Sequence, residues 1–261
     1  MNQLKDLAIK FKTDKILNHN YIEIYNNYMS QNRLKNVSLF EIGIGGYDNE
    51  NKGGNSLRMW KNFFPFGKIF AIDIYNKKLI EEKRIKVFQG SQIDKVFLEN
   101  IFSRIGKVDY IIDDGSHLSK HVIQTFEYLF KYLKNGGYYF IEDTQTSYWP
   151  RYGGSSFNFD NKKSAINFFK KIIDKINYME FDNPFFKPDF FAKNITQIHF
   201  YHNMIVIKKD INNEKSNVIV NKMLPFKKKI FFNFNILGRY FKYCFYFSKN
   251  LYNKFLDFLK I

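Results

Sequence analysis

The sequence predicts an α/β protein built on a mostly parallel sheet, closed by an antiparallel hairpin strand near its C-terminal end. Three observations predict it. Short, almost continuously apolar runs alternate with amphipathic stretches, the pattern of strands buried on both faces by crossover helices. Each apolar run ends in glycines or acids rather than fading into a loop. Two β-rich runs then meet with no room for a helix between them.

The first 35 residues alternate apolar and polar at helical spacing, most clearly in YIEIYNNYM, and are expected to form N-terminal helices. Five strands follow, in VSLFEIGI, KIFAIDIY, IKVFQG, VDYIIDDG and GYYFIEDT, with helices expected around Ser56–Phe64, Asp94–Ile105 and His121–Leu133. Asn135-Gly136-Gly137 reads as a left-handed stop to the last of these helices. ITQIHFYHNMIVIKK turns at His202-Asn203 and forms the hairpin. The expected organisation is an N-terminal helical cap over 1–35, a doubly wound, Rossmann-like domain over 36–210, and a basic, aromatic helical tail over 211–261.

Composition narrows the function classes. A chain of 261 residues with 45% hydrophobic residues suits one sizeable globular domain. Cys244 is the only cysteine, so an internal disulfide is excluded and a reducing, cytoplasmic setting is expected. The N-terminal MNQLKDLAIKFKTDK has neither an unbroken apolar core nor a small-residue cleavage site, and no uncharged run reads as a membrane span. The net charge is +16, of which the stretch from residue 208 onward carries +9, with 12 Lys and Arg against Asp210, Glu214 and Asp257. Concentration of charge in the tail argues against a nucleic-acid footprint on the domain itself. In the tail, Phe241, Phe245, Tyr252 and Phe255 recur at helical spacing with Ser248 as the polar exception. Such a stripe fits peripheral contact with an anionic inner-membrane face, packing on the domain, or a homo-oligomer contact.

In doubly wound sheets ligands bind beyond the carboxyl ends of the strands. The first strand ends in Glu41-Ile42-Gly43-Ile44-Gly45-Gly46, where glycines let the backbone approach a ligand closely. No third glycine is placed to open the next helix, so this is not the dinucleotide fingerprint. A strand-end acid followed by Gly-x-Gly suits a cationic amino-acid cofactor such as S-adenosylmethionine (SAM). Asp73 ends the second strand and is placed to accept from ribose hydroxyls. Gly90, Ser91 and Gln92 follow the third and can read an adenine edge, and Asp113 completes the strand-end series.

Asp114, Glu142 and Asp143 converge if the fourth and fifth strands are neighbours. Carboxylates that close repel one another unless a cation joins them. Oxygen ligands favour a hard ion, magnesium first, with manganese or calcium as alternatives. His117, three residues beyond Asp114, is the candidate general base for a hydroxyl held beside that ion. His121, His199 and His202 read as structural.

Taken together, KTDK, EIGIGGY, GGNSLRMWKNFF, IFAIDI, FQGSQ, IIDDGSH and GGYYFIEDTQTSYWPRYGG resemble the macrocin and demethylmacrocin O-methyltransferase family over roughly residues 11–210. The resemblance implies a Rossmann-like class I methyltransferase, dependent on SAM and magnesium, that methylates a sugar hydroxyl. Similar proteins occur in bacterial surface-polysaccharide pathways. It places the metal on Asp114, Glu142 and Asp143 and the base on His117, adds Thr13, Asp14 and Ser56 around the cofactor with Asp114 beside it, and makes SYWPRYGG a substrate loop carrying Tyr148, Trp149, Arg151 and Tyr152. The long N-terminal auxiliary domain of the macrolide enzymes is expected to be lacking, so their oligomeric state and macrolide acceptor are not carried over. The expected substrate is a sugar or nucleotide-sugar of a bacterial glycan precursor. The rivals are methylation of RNA or of a diol or catechol, and a non-catalytic membrane-associated scaffold.

Overall fold

The computed structural model describes residues 3–17, 19–225 and 244–249. The described residues divide into two compact units, one within 1–176 and 189–212 and a second within 177–188 and 213–261. Helices α1 (Gln3–Phe11), α2 (Asp14–Leu17) and α3 (Ile22–Met29) open the first unit. The sheet follows as β1 (Ser38–Ile42), β2 (Lys68–Asp73), β3 (Ile85–Gln89), β4 (Val108–Asp113) and β5 (Leu133–Ile141). The connecting helices are α4 (Asn55–Phe63), α5 (Lys95–Ile105) and α6 (Ser119–Leu129). Beyond β5 come α7 (Ala165–Ile176), α8 (Phe190–Asn194) and the hairpin β6 (Ile195–Tyr201) and β7 (Met204–Lys209).

The seven strands lie in the order β3-β2-β1-β4-β5-β7-β6, with β7 antiparallel to both of its neighbours and all other pairs parallel. The switch in strand order therefore falls between β1 and β4. Ile42 is level with Ile72 and with Asp113, Asp113 with Ile141, and Asp73 with Gln89. Five strands thus end abreast, and their terminal residues line one edge.

Period-two alternation sends neighbouring side chains to opposite faces. On one face Leu39, Ala71, Ile112, Phe140 and Val206 pack against Leu4, Tyr25, Met29 and Trp60 from α1, α3 and α4. On the other, Phe40, Ile111, Tyr139 and Ile205 pack against Phe102, Phe126 and Phe169 from α5, α6 and α7. The N-terminal helices are half the covering of the first face.

One detail departs from the sequence reading. Helix α6 ends at Leu129, tightens into a single 3-10 turn over Phe130–Tyr132, and β5 starts at Leu133. Gly136, with φ +81°, therefore lies within the first residues of β5 rather than at the helix stop. The 3-10 turn has already reversed the chain, so the left-handed residue serves an irregularity of the β4–β5 pairing. Of the tail, residues 244–249 form a helical turn with exposed side chains, and the reading of a longer helical tail, including Phe241, Tyr252 and Phe255, lies outside the described residues. No helix among the described residues is long and apolar enough to cross a membrane.

Candidate active site

The edge formed by the strand ends carries two tiers of charge. The inner tier is buried and centres on Lys15, which the sequence reading passed over. Its side chain has no exposed surface; Nζ donates to Glu142 Oε1 at 2.6 Å and to Asp114 Oδ2 at 2.8 Å, and faces Glu41 Oε1 at 3.4 Å. The Tyr25 hydroxyl also donates to Glu142 Oε1. Burial alone would strip the lysine of its proton, but the carboxylates outweigh it and hold its pKa well above the ordinary value. The acids feel burial most. It pushes Glu41 up to about 7 and raises Glu142 well above the usual carboxylate range, with Lys15 opposing the shift in both.

The outer tier is reachable by solvent. His117 Nε2 lies 3.9 Å from Asp114 Oδ1 and 3.7 Å from Asp143 Oδ2, with side-chain exposures of 22%, 19% and 18%. One ligand atom from each of Asp114, His117 and Asp143 falls within 4.8 Å of the others, and Glu142 stands outside that cluster. His117 and Asp143 both adopt left-handed backbone, at φ 56° and 53°. Non-glycine residues adopt it at a cost of roughly 1–3 kcal/mol, and such strain collects at ligand sites. The Tyr21 hydroxyl, donating to Asp143 Oδ1 at 2.7 Å, holds the second of them in place. His19 stacks on Tyr21 with ring centroids 4.8 Å apart and brings Nε2 to 3.7 Å from Asp143 Oδ1. The carboxylate oxygens suit a hard divalent ion, with the imidazole standing beside them.

The glycine-lined turn lies against this cluster. A Cβ on Gly43, at φ +85°, would stand 2.1 Å from the Asp114 carbonyl oxygen, so only glycine lets β1 and β4 end this close together. A Cβ on Gly45, at φ +74°, would meet nothing within 4 Å, so that stretch of backbone borders open space. Half-buried Asp73 accepts from the amides of Ile44 and Tyr75 at 2.9 Å each, which ties the turn to β2. A cleft of about 410 Å³ at the ends of β2 and β3 is lined by Asn76, Lys77, Phe88, Gln89 and Phe97. Another, of about 440 Å³, adjoins Asp143 and is lined by Thr144, Tyr148, Phe200, Tyr201 and His202.

Several residues expected around the cofactor turn inward instead. Glu41 is fully buried, taking the Trp60 Nε1 donor at 2.8 Å, and Ser56 is itself buried. Asp113 is 2% exposed, and burial pushes it up to about 7. It accepts from Gln92 Nε2 and the Tyr139 hydroxyl. Buried Gln92 also donates to Thr125 Oγ1 at 3.0 Å and accepts from the Ser116 amide at 2.8 Å, so it braces the turn between β4 and α6. His121 supports the same turn through Ser116 Oγ at 2.9 Å. Thr13 is buried and donates to exposed Asp14 at 3.3 Å. Ser91 and Gly90 remain partly open beside β3. In the loop after β5, the Arg151 guanidinium lies over Trp149 at 5.7 Å and over Tyr152 at 5.1 Å, while Tyr148 lines the second cleft. His202 lines it too, where a purely structural role was expected.

Lys15 was legible only through its place in KTDK, since nothing local separates it from the chain's many exposed lysines. Its partners are 99 and 127 residues away.

Strand order, aligned strand ends and a glycine turn at the switch point define the class I methyltransferase fold. No family model matches the chain. Two curated proteins are each 38% identical to it. Mycinamicin VI 2''-O-methyltransferase of Micromonospora griseorubida matches over 213 residues, 81% of this chain and 53% of that protein. 8-Demethyl-8-(2-methoxy-alpha-L-rhamnosyl)-tetracenomycin-C 3'-O-methyltransferase of Streptomyces olivaceus matches over 210 residues, 80% of this chain and 54% of that protein. Among solved structures, the MycE methyltransferase of the mycinamycin biosynthetic pathway in complex with Mg and SAH matches with TM-score 0.79 at 38% identity, covering 82% of this chain and 55% of that one. A further complex of MycE also holds mycinamycin VI. The relatives also include demethylmacrocin O-methyltransferase of Streptomyces fradiae, at 36% identity, so the resemblance read from the motifs is to true relatives. The chain spans about half the length of the curated relatives it matches.

Proposed function

We propose that this protein is a SAM- and magnesium-dependent O-methyltransferase acting on a sugar hydroxyl. The observation that carries the reading is the convergence of Asp114, His117 and Asp143 at the ends of β4 and β5, beside the Gly43–Gly46 turn. The relatives' complexes with Mg and SAH, and their names as methyltransferases of rhamnosyl and macrolide compounds, support it.

Asp114 and Asp143 would hold the ion from the outer tier, with Glu142 offering its second oxygen, since both of its bonds fall on Oε1. A divalent ion there supplies Lewis-acid stabilisation of a hydroxyl losing its proton. His117 Nε2 takes that proton as the hydroxyl oxygen forms its bond to the sulfonium methyl; the S–CH3 bond breaks and its electron pair stays on sulfur. The Gly43–Gly46 turn and Asp73 would position the donor, with the nucleoside end in the cleft by Phe88 and Phe97. The acceptor would lie in the cleft by Tyr148 and His202, with Trp149, Arg151 and Tyr152 at its rim. Alignment of the two reactants supplies much of the acceleration.

The finer reading, that the sugar belongs to a bacterial surface-polysaccharide precursor, rests on the motif resemblance. Chelation with EDTA should abolish turnover and added magnesium restore it; turnover that persists in chelator removes the metal reading. Loss of one methyl mass increment from surface glycan on deleting the gene supports the finer reading, and an unchanged glycan removes it.

A further inference from the structure

Lys15 touches the carboxylates proposed for the metal, yet touches them on one side only. On Asp114 the amine takes Oδ2, at 2.8 Å, while Oδ1 faces His117 at 3.9 Å. On Glu142 it takes Oε1, the same oxygen that Tyr25 bonds. The Asp114 carboxylate is therefore split between a buried cation behind it and the outer tier in front, and both bonds to Glu142 fall on one of its oxygens. The amine also pairs with Glu41 Oε1 at 3.4 Å, and the other oxygen of Glu41 accepts from Trp60 Nε1. The chain Trp60–Glu41–Lys15 thus pins both acids with side chains of 0% exposure.

Resting on the metal reading above, we propose that Lys15 is a positioning residue for the divalent ion: it holds one oxygen each of Asp114 and Glu142 so that the other is presented outward. A carboxylate that ligates a metal is usually oriented by a hydrogen bond from behind, and loss of that partner typically costs 10–100-fold in metal affinity. Here the partner behind the acids is a cation. Simple charge counting makes the opposite prediction, because removing a positive charge next to two metal-binding acids should tighten the ion. The sign of the effect therefore separates orientation from charge balance.

The test is Mn2+ titrated into the full-length protein, with free ion read by electron paramagnetic resonance. Lys15→Met should weaken Mn2+ binding by about tenfold or more. Because that variant leaves buried acids without a counter-charge, the pair Lys15→Met/Glu41→Gln is compared with the unmodified protein; it removes the amine together with one acid, so the formal charge of the inner tier is kept. A tenfold or larger loss in the pair supports the proposal even if the single variant fails to fold. Unchanged or tighter binding in the pair overturns it and leaves the metal reading intact. No saturable binding by the unmodified protein overturns both.

Discussion

Asp113 and Asp114 are adjacent in the chain and serve opposite faces of the sheet. Asp113 follows Ile111 toward α5 and α6, where Gln92 and Tyr139 hold it, and Asp114 follows Ile112 toward the N-terminal helices, where Lys15 meets it. Of the paired acids of IIDDGSH, one is held by internal partners and the other faces the candidate metal cluster.

The first prediction separates them. Asp114→Asn is expected to abolish metal-dependent turnover and saturable Mn2+ binding while the fold survives. Asp113→Asn keeps its neighbours and should bind Mn2+ within about threefold of the unmodified protein, since it lies on the far side of the sheet. Calorimetric or resonance titration of both variants checks the contrast, and equal losses would contradict it.

His117→Ala is expected to retain SAH affinity and lower the chemical step by ~10²–10⁴-fold. Isothermal titration with SAH, alongside single-turnover methyl transfer, makes the measurement. A rate within a few-fold of the unmodified enzyme would move the base elsewhere.

Gln92→Ala should destabilise the fold by about 1–3 kcal/mol, because it strands the Ser116 amide and takes one partner each from Thr125 and Asp113. Urea unfolding gives the number. A cost near zero would show that the turn after β4 does not depend on this side chain.

Glu41 is expected to leave a signature in the pH dependence of stability. Its pKa is raised from 4.5 to about 7 in the folded protein, so between those values the folded state binds more protons than the unfolded one. Stability contributed by the protonated group is therefore present below pH 4.5 and is lost as pH rises toward 7, by up to about 3 kcal/mol. Glu41→Gln cannot ionise, so its stability relative to the unmodified protein should climb across that window. Chemical unfolding at several pH values reads the difference; a flat difference would show that Lys15 fully compensates the buried charge.

Much of the domain was readable from residues alone. Five apolar runs, their helical spacers and the HN turn of the hairpin became β1 to β7 in the expected order, because strands buried on both faces have few alternatives to a parallel sheet. The carboxyl-end placement of Asp73, Asp114 and Asp143 followed from that order. Period-two alternation also contained the division between Asp113 and Asp114, had the two been assigned to faces rather than to a common edge.

Lys15 shows where such reading stops. A lysine at an early turn of a basic protein has no local mark of burial, and its partners come from β1, β4 and the end of β5. Gln92 is a second case: a polar residue after a strand end has three internal partners that no local pattern announces. Local pattern determined the strands, the helices and the edge where ligands belong, because hydrophobic period and turn chemistry act over a few residues. Which charged side chains are paired inside and which are left facing outward was decided only by long-range packing, because burial energy and ion pairing depend on distances the linear chain does not contain.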